Sequence, residues 1–280
     1  MRLLVTGAAG MLGRDVVAAA QGAGHDVIAL ARRELDIRDP SAVAAAVGAA
    51  RPAAVVNCAA WTDVDAAESR EPDATEVNGA AAGHVAAAAA AAGAFVVQIS
   101  TDYVFDGTAR EPYRESAPTS PLGAYGRSKL VGELAVARAA PGAHAIVRSS
   151  WLFGEHGGNF VATMLRLAGE RDSITVVDDQ VGCPTFTGHL ARALVTIAER
   201  RIEGIHHVAG AGSCSWYDLA AATFAATGAE VELTRGSSAG LDRPAPRPAY
   251  SVMRSERPDT PVLPAWREGL RAYLELGVTA

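Results

Sequence analysis

Hydrophobic and polar positions alternate in two ways along the first 150 residues of the chain. Short apolar runs rich in valine and isoleucine, typical of buried strands, are separated by longer alanine-rich stretches of helical character. The predicted strands span residues 2–6, 26–30, 53–57, 94–100 and 144–150. The predicted helices are residues 11–22, a segment that begins near Pro40 and Ser41, an alanine-rich segment that ends at Gly93, and a segment that contains Tyr125. This alternation predicts an α/β fold in which helices cover both faces of a doubly wound parallel sheet.

The pattern becomes less regular after Trp151. We predict three further helices, at residues 160–169, 189–199 and 266–277. A short strand is predicted at residues 174–177, and a further apolar segment spans residues 204–210. Residues 238–261 are rich in proline and arginine, which predicts a loop. We therefore expect a smaller C-terminal lobe, residues 151–280, that is partly interleaved with the core formed by residues 1–150.

Composition and charge exclude several classes of protein. Hydrophobic residues make up 49% of the 280 residues and charged residues 20%, so the chain can bury a large core. The net charge of −6 argues against a nucleic-acid partner. Cys58, Cys183 and Cys214 are widely spaced and show neither metal-ligand nor disulfide spacing, which favours a reducing compartment.

No segment has the pattern of a membrane span or a signal peptide. The most apolar long segment, residues 83–100, contains His84 and is broken by Gly93, so a core helix followed by a strand explains it better than a membrane helix. The N-terminal MRLLVTGAAG reaches a glycine turn after too few apolar residues for a signal peptide. We expect a cytoplasmic protein without a membrane partner.

A glycine-rich turn, TGAAGMLG at residues 6–13, joins the first predicted strand to the first predicted helix. Gly7, Gly10 and Gly13 fit a dinucleotide-binding turn, in which the backbone approaches a pyrophosphate at the N-terminus of a helix. The spacing is GxxGxxG. The motif predicts that residues 1–150 form an NAD(P)-binding domain of Rossmann type.

The residues after the second predicted strand bear on the choice of cofactor. NAD-binding proteins often place an acidic residue there for the ribose 2′-hydroxyl. This chain has Ala31, Arg32 and Arg33 instead. Guanidinium groups can bind a 2′-phosphate, so we expect NADPH, with NADH still possible. The alternative is a pair of solvated surface arginines.

A tyrosine and a lysine lie four positions apart in AYGRSKLVGE, residues 124–133. On a helix they share one face, where the cation can lower the pKa of the phenol. Tyr125 could then protonate a carbonyl oxygen while a hydride reaches its carbon, and Lys129 could bind the cofactor ribose. Thr101, just after the fourth predicted strand, could polarise the same oxygen. The alternative is an exposed pair with no catalytic role.

Five segments together resemble one family. They are NCAAWTDVDAAES (57–69), STDYVFDG (100–107), SPLGAYGRSK (120–129), RSSWLFGEHGGNF (148–160) and DDQVGCPT (178–185). The set resembles dTDP-4-dehydrorhamnose reductases, which are extended short-chain dehydrogenases/reductases, and the resemblance extends from Arg2 to about Trp266. It implies NADPH-dependent reduction of the C4 keto group of dTDP-4-dehydro-L-rhamnose to dTDP-L-rhamnose, the last step of dTDP-rhamnose biosynthesis.

The resemblance also implies roles for individual residues. Those implied to contact the cofactor are Gly10, Met11 and Leu12, then Asp36 and Ile37 near the adenine, and Ala60, Trp61 and Thr62 along its length. Tyr125 and Lys129 are the implied catalytic pair. Those implied to contact the sugar nucleotide are Thr101, Asp102, Trp151 and, at the diphosphate, Arg247. Trp151 could instead be a core tryptophan. Arg247 could instead be a solvated arginine of the loop.

Departures from the family leave alternatives open. Some relatives bind magnesium through acidic side chains at a dimer contact, but His189 stands where we expect a carboxylate, although Asp15 is present. Magnesium is therefore possible by resemblance only, and the protein could be a monomer or a homodimer. It could also reduce another dTDP-4-keto-deoxysugar of a streptose or antibiotic-sugar pathway, act as an epimerase, or be a non-catalytic NADP-binding regulatory subunit. Tyr103, after Thr101 and Asp102, argues against a dehydratase.

Overall fold

The computed structural model describes residues 1–277, which contain twelve strands and ten α-helices. The strands are β1 (Arg2–Thr6), β2 (Asp26–Leu30), β3 (Ala54–Asn57), β4 (Phe95–Thr101), β5 (His144–Ser149), β6 (Leu152–Phe153), β7 (Ser173–Val177), β8 (Val181–Gly182), β9 (Thr185–Phe186), β10 (Gly204–His207), β11 (Cys214–Ser215) and β12 (Glu232–Gly236). The five strands predicted before Trp151 are all present, with ends that differ by one residue at most.

The helices agree with the predicted ones, with three additions. They are α1 (Met11–Gly22), α2 (Pro40–Ala50), α3 (Val64–Ser69), α4 (Glu71–Thr75), α5 (Ala81–Ala91), α6 (Ala124–Ala139), α7 (Phe160–Glu170), α8 (Thr187–Arg200), α9 (Trp216–Thr227) and α10 (Trp266–Leu274). Helices α3, α4 and α9 have no counterpart among the predicted elements. A π-helical turn, Glu76–Ala80, joins α4 to α5.

The central sheet has six parallel strands in the order β2–β1–β3–β4–β5–β10. Thr6 at the end of β1 pairs with Leu30 on one side and with Asn57 on the other. The chain first builds outward from β1 to β2 and then returns to continue from β3. The strand order therefore reverses between β1 and β3, and in open α/β sheets a ligand crevice forms at the carboxyl ends of such strands.

Helices cover both faces of this sheet, because successive strand residues point in opposite directions. Leu3 and Val5 of β1 belong to a cluster with residues of α1 and α8, whereas Leu4 belongs to a second cluster with residues of α2 and α5. All three side chains are fully buried. The predicted doubly wound α/β fold is confirmed.

The second half of the chain contributes both to the sheet and to a separate group of elements. β10 is the edge strand next to β5, and α8 packs against α1. Three two-stranded sheets, β7–β12, β8–β11 and β6–β9, lie outside the central sheet. The division into residues 1–150 and 151–280 stays a prediction. None of the helices within residues 1–277 is long and apolar enough to cross a bilayer.

Candidate active site

A cavity of about 740 Å³ lies where the strand order reverses. The predicted site residues that line it are Gly7, Gly10, Met11, Leu12, Gly13, Arg32, Asp36, Ile37, Ala60, Trp61, Thr62, Thr101, Asp102, Tyr125, Lys129 and Trp151. These residues come from the segments that follow β1, β2, β3, β4 and β5 and from α6. Of the predicted contacts, only Arg33 and Arg247 do not line this cavity.

The glycine turn after β1 can adopt its shape only without side chains at two positions. Gly7 has a φ of +63°, and a Cβ there would lie 2.5 Å from the backbone nitrogen of Ala59, which follows β3. A Cβ at Gly13 would lie 2.2 Å from the carbonyl oxygen of Gly7. The turn is therefore tight, and it is packed against both α1 and the neighbouring strand end.

The N-terminus of α1 fits an anionic group. Gly10 precedes the helix and provides no side-chain cap, so the first N–H groups of α1 lack side-chain partners. Gly10, Met11 and Leu12 line the cavity. Free N–H groups at a helix N-terminus bind phosphate oxygens, and the helix dipole favours their charge. The residues present therefore fit the pyrophosphate of a dinucleotide.

The three arginines after β2 differ in their partners. Arg33 is highly exposed and pairs with Glu34, whereas Arg38 pairs with Asp36, and the hydrogen bonds from Arg38 lower the pKa of Asp36 to about 2. Arg32 lines the cavity and forms no salt bridge with any residue in the described part of the chain. Of the two arginines that we predicted could bind a 2′-phosphate, only Arg32 lies at the cavity.

Tyr125 and Thr101 lie together at the carboxyl end of β4. Burial, with a smaller contribution from the neighbouring Asp102, raises the pKa of Tyr125 to about 12, and the Thr101 hydroxyl opposes the shift. The expectation that Lys129 lowers this pKa stays a prediction, and in the protein alone the loss of solvation raises the pKa. The phenol is consequently protonated at neutral pH.

Lys129 is buried one helical turn after Tyr125. Its Nζ donates a hydrogen bond to the carbonyl oxygen of Ile99 at 2.6 Å, and this oxygen also accepts a bond from Gln98 at 2.9 Å. Burial lowers the pKa of Lys129 to about 8, while Glu133 opposes the shift. The ammonium form still predominates at pH 7, inside the cavity.

A buried ion pair fixes α6 to the sheet behind these residues. Arg148 of β5 donates two hydrogen bonds to Glu133 of α6, at 2.9 and 2.7 Å. Ser100 of β4 donates a third to the same carboxylate at 2.6 Å. Both charged side chains are almost fully buried. These bonds connect β4, β5 and α6, the elements that carry Thr101 and Tyr125.

Two tryptophans form another part of the cavity wall. The indole of Trp151 stacks on that of Trp216, and on its other side a Cβ at Gly182 would lie only 2.5 Å from the ring. Trp151 has a φ of +48°, a left-handed conformation that is uncommon and costly for a residue with a side chain. Trp216 also lines the cavity. Trp151 is therefore a wall residue and not a core residue.

Arg247 lies behind the cavity wall. It donates two hydrogen bonds to Asp65, at 3.0 and 2.8 Å, and one to the carbonyl oxygen of Ala245. It neighbours Tyr103, which lines the cavity. The structure does not bring the Arg247 side chain together with the other predicted site residues.

Within residues 1–277, no three His, Cys, Asp or Glu side chains are grouped so that they could hold a metal ion. The ring of His189, at the position where a carboxylate was expected, packs edge-on against Phe186. Burial lowers the pKa of His189, and the adjacent Arg192 lowers it further. Magnesium stays an expectation from the resemblance.

Comparison with known proteins agrees with this geometry. The model of the RmlD substrate binding domain family matches residues 1–278. The chain belongs to the RmlD substrate binding domain family. It is 47% identical over 262 residues to a dTDP-4-dehydrorhamnose reductase of Streptomyces griseus, a match that covers 91% of this chain and 86% of the relative.

Two further relatives of this RmlD-family chain are informative. It is 45% identical over 276 residues to a dTDP-4-keto-6-deoxy-D-glucose reductase of Streptomyces niveus, covering 95% of this chain and 90% of the relative. The crystal structure of the dTDP-4-dehydrorhamnose reductase of Bacillus anthracis in complex with NADP superimposes with a TM-score of 0.95 at 36% identity. That match covers 98% of this chain and 99% of the other.

The cavity of this RmlD-family protein also contains residues that we did not predict. They include Arg38, Cys58, Tyr103, Ser149, Ser150 and Trp216. Tyr103 contacts Tyr125 edge-to-face, with ring centroids 5.9 Å apart. Burial raises the pKa of Cys58 to about 12, so this thiol is not a nucleophile at neutral pH. Of these residues, Trp216 had a usable sequence signal, since Ser215 and Asp218 form a capping box that starts α9.

Proposed function

We propose that this protein uses NADPH to reduce the C4 keto group of dTDP-4-dehydro-L-rhamnose, giving dTDP-L-rhamnose. The observation that carries the proposal is that Tyr125, Thr101 and Lys129 lie in the same cavity as the glycine turn. The identity of 47% to a dTDP-4-dehydrorhamnose reductase supports the same substrate. When bound, NADPH supplies the hydride that reaches the keto carbon.

Tyr125 is the proposed acid. Because its pKa is raised to about 12, its proton stays in place until negative charge develops on the substrate oxygen. In this proposal Thr101, which lines the same cavity, polarises the same oxygen. Lys129 contributes a buried positive charge and, in this proposal, donates to the ribose hydroxyls of the cofactor in addition to Ile99.

NADPH is the preferred cofactor in this proposal because of Arg32. Its guanidinium lines the cavity and is free to bind a 2′-phosphate, whereas the carboxylate of Asp36 is already paired with Arg38. The NADP complex of a relative with a TM-score of 0.95 supports the same choice. NADH, which lacks the phosphate, would bind more weakly but in the same cradle.

The sugar nucleotide is proposed to bind against Trp151, Thr101 and Asp102. Residues 1–150 would bind mainly the cofactor, and residues 151–280 mainly the sugar nucleotide. Arg247 would bind the diphosphate through the N–H groups that do not donate to Asp65 or Ala245. The three free cysteines support a location in the reducing cytoplasm. The proposed function requires no more than a monomer or a homodimer.

A second candidate substrate is another dTDP-4-keto-deoxysugar. The identity of 45% to a dTDP-4-keto-6-deoxy-D-glucose reductase favours it specifically. The same Tyr125 chemistry would serve both substrates, and the shape of the wall around Trp151 would decide between them. A non-catalytic role is disfavoured because Thr101, Tyr125 and Lys129 occupy one cavity.

The test is NADPH oxidation, followed by the nicotinamide absorbance, with enzymatically generated dTDP-4-dehydro-L-rhamnose and identification of the product by NMR. The proposal predicts turnover to dTDP-L-rhamnose. Turnover only with dTDP-4-keto-6-deoxy-D-glucose would replace the substrate and keep the chemistry. NADPH binding without oxidation of NADPH by either sugar would contradict the proposed activity.

A further inference from the structure

Thr101 has one hydroxyl proton and several partners that compete for it. Its Oγ1 donates to Oδ1 of Asp102 at 3.0 Å and accepts a hydrogen bond from the backbone nitrogen of Tyr103 at 3.2 Å. It also lies near the phenol of Tyr125, whose rise in pKa it opposes. A hydroxyl group offers one donor and two acceptor positions. While Asp102 is ionised and accepts the hydrogen bond of the Thr101 hydroxyl, Thr101 cannot donate to an oxygen in the cavity.

The carboxylate of Asp102 is buried with few groups that would stabilise its negative charge. It is 2% exposed, and its Oδ2 makes no hydrogen bond of normal geometry to any described residue. The titratable groups that face it are the phenols of Tyr103 and Tyr125 and the thiol of Cys183, and the pKa of each is raised. The nearby cations are engaged elsewhere, Lys129 with Ile99 and Arg247 with Asp65.

This environment makes both forms of Asp102 accessible. Burial raises its pKa to about 7, although the hydroxyls of Ser251 and Thr101 oppose the shift. When it is protonated, the carboxyl group can donate to Thr101 Oγ1, since only 3.0 Å separates the two oxygens. Thr101 would then accept from Asp102 and from the Tyr103 nitrogen, and its own proton would be free.

We propose that Asp102 is a positioning residue that sets the direction of the Thr101 hydroxyl. Protonated Asp102 donates to Thr101, and Thr101 in turn donates to the keto oxygen of the substrate. Ionised Asp102 instead accepts the hydrogen bond of the Thr101 hydroxyl and places a negative charge beside an oxygen that becomes negative during reduction. The inference rests on the proposed reductase function and adds a residue that acts through Thr101.

The sign of the pH dependence follows from this arrangement. The active form is the protonated one, so reduction is favoured below the pKa of Asp102 and is lost as the pH rises through it. Above that pH, kcat/KM should fall by about tenfold per pH unit, as for any single essential acid. Lys129, whose pKa is lowered to about 8, would add a second loss at higher pH.

The test is the pH profile of kcat/KM for the sugar nucleotide at saturating NADPH, in wild type and in Asp102→Asn. An amide can donate to Thr101 at every pH, so the variant should lack the alkaline fall that begins near pH 7 and retain the later one near pH 8. Asp106→Asn is the matched control, because Asp106 bonds to Thr108 and Tyr113 and does not line the cavity. This control should keep the wild-type profile.

A second comparison shows whether Asp102 acts through Thr101. In a Thr101→Val background, the further change Asp102→Asn should leave the pH profile unaltered. An alkaline fall that persists at the same midpoint in Asp102→Asn would overturn the inference while leaving the proposed function intact. A wild-type enzyme with no turnover at any pH would instead refute the proposed function on which the inference rests.

Discussion

The indole rings of Trp151 and Trp216 stack with centroids 3.5 Å apart and planes 4° from parallel. Trp151 lies between β5 and β6, Trp216 is the first residue of α9, and both line the cavity. Because the backbone of Trp151 is held in a left-handed conformation, its ring depends on neighbours for its orientation. Trp216 on one side and Gly182 on the other supply that support.

We therefore predict that Trp216→Ala raises KM for the sugar nucleotide more than it lowers kcat. An aromatic pair contributes about 0.5–1.5 kcal/mol, which corresponds to a rise of about two- to tenfold. Trp216→Phe, which keeps a ring against Trp151, should stay close to wild type. Steady-state kinetics of both variants check this, and an equal effect of Ala and Phe would contradict a stacking role.

Tyr125→Phe removes only the hydroxyl of the proposed acid. Because Tyr125 is the proposed proton donor, kcat should fall by about 10² or more. NADPH binding, measured by fluorescence titration, should be largely retained, since the glycine turn and α1 are untouched. Near-full activity of this variant would show that another group is the acid.

Arg32 and Arg33 provide a matched pair for the choice of cofactor. Arg32→Ala should lower kcat/KM for NADPH by about 10- to 100-fold, the loss of one or two hydrogen bonds to a charged phosphate, and leave NADH use nearly unchanged. Arg33→Ala should change neither, because Arg33 pairs with Glu34 outside the cavity. The measurement is the ratio of kcat/KM for the two cofactors. Equal effects of the two substitutions would contradict the assignment.

We predict that Lys129 lowers the free energy of unfolding, although the proposed reaction needs it to bind the cofactor ribose. Its pKa is lowered from 10.5 to about 8 on folding, so the unfolded chain binds the proton more tightly than the folded protein. The resulting loss of folding stability is complete below pH 8 and absent above pH 10.5. Lys129→Met should raise the free energy of unfolding at pH 7 by about 2 kcal/mol, since Gln98 still donates to Ile99.

Urea unfolding of Lys129→Met and wild type at pH 7 and pH 9.5 checks this prediction. The difference between the two proteins should shrink at the higher pH, and kcat/KM of the variant should be far below that of wild type. If the variant is less stable than wild type at pH 7, Lys129 stabilises the fold and the prediction is wrong.

Local patterns predicted the sheet and the cradle because both are encoded in contiguous residues. The apolar run of β1, the glycines that follow it and the amphipathic start of α1 together specify a strand, a turn and a helix within residues 2–22. Tyr125 and Lys129 could be paired in the same way, since i and i+4 positions share one helix face. Their arrival beside Thr101 then followed from the rule that ligands bind at strand carboxyl ends.

The features that sequence reasoning missed depend on contacts between distant residues. Trp216 meets Trp151 from a helix 65 positions later, and nothing in either segment alone indicates the stack. The ion pair of Arg247 with Asp65 joins a loop to α3, whereas local composition alone predicts a solvated arginine. The raised pKa of Tyr125 has the same origin, because its burial depends on the assembled cavity.

The most direct test of the central claim follows a deuterium label. Wild-type enzyme would be given dTDP-4-dehydro-L-rhamnose and NADPH deuterated at both nicotinamide C4 positions, and the product would be examined by NMR. Direct reduction predicts dTDP-L-rhamnose with deuterium at sugar C4 and one NADPH consumed per product. A product without deuterium at C4, or conversion of the sugar without net NADPH consumption, would contradict the account.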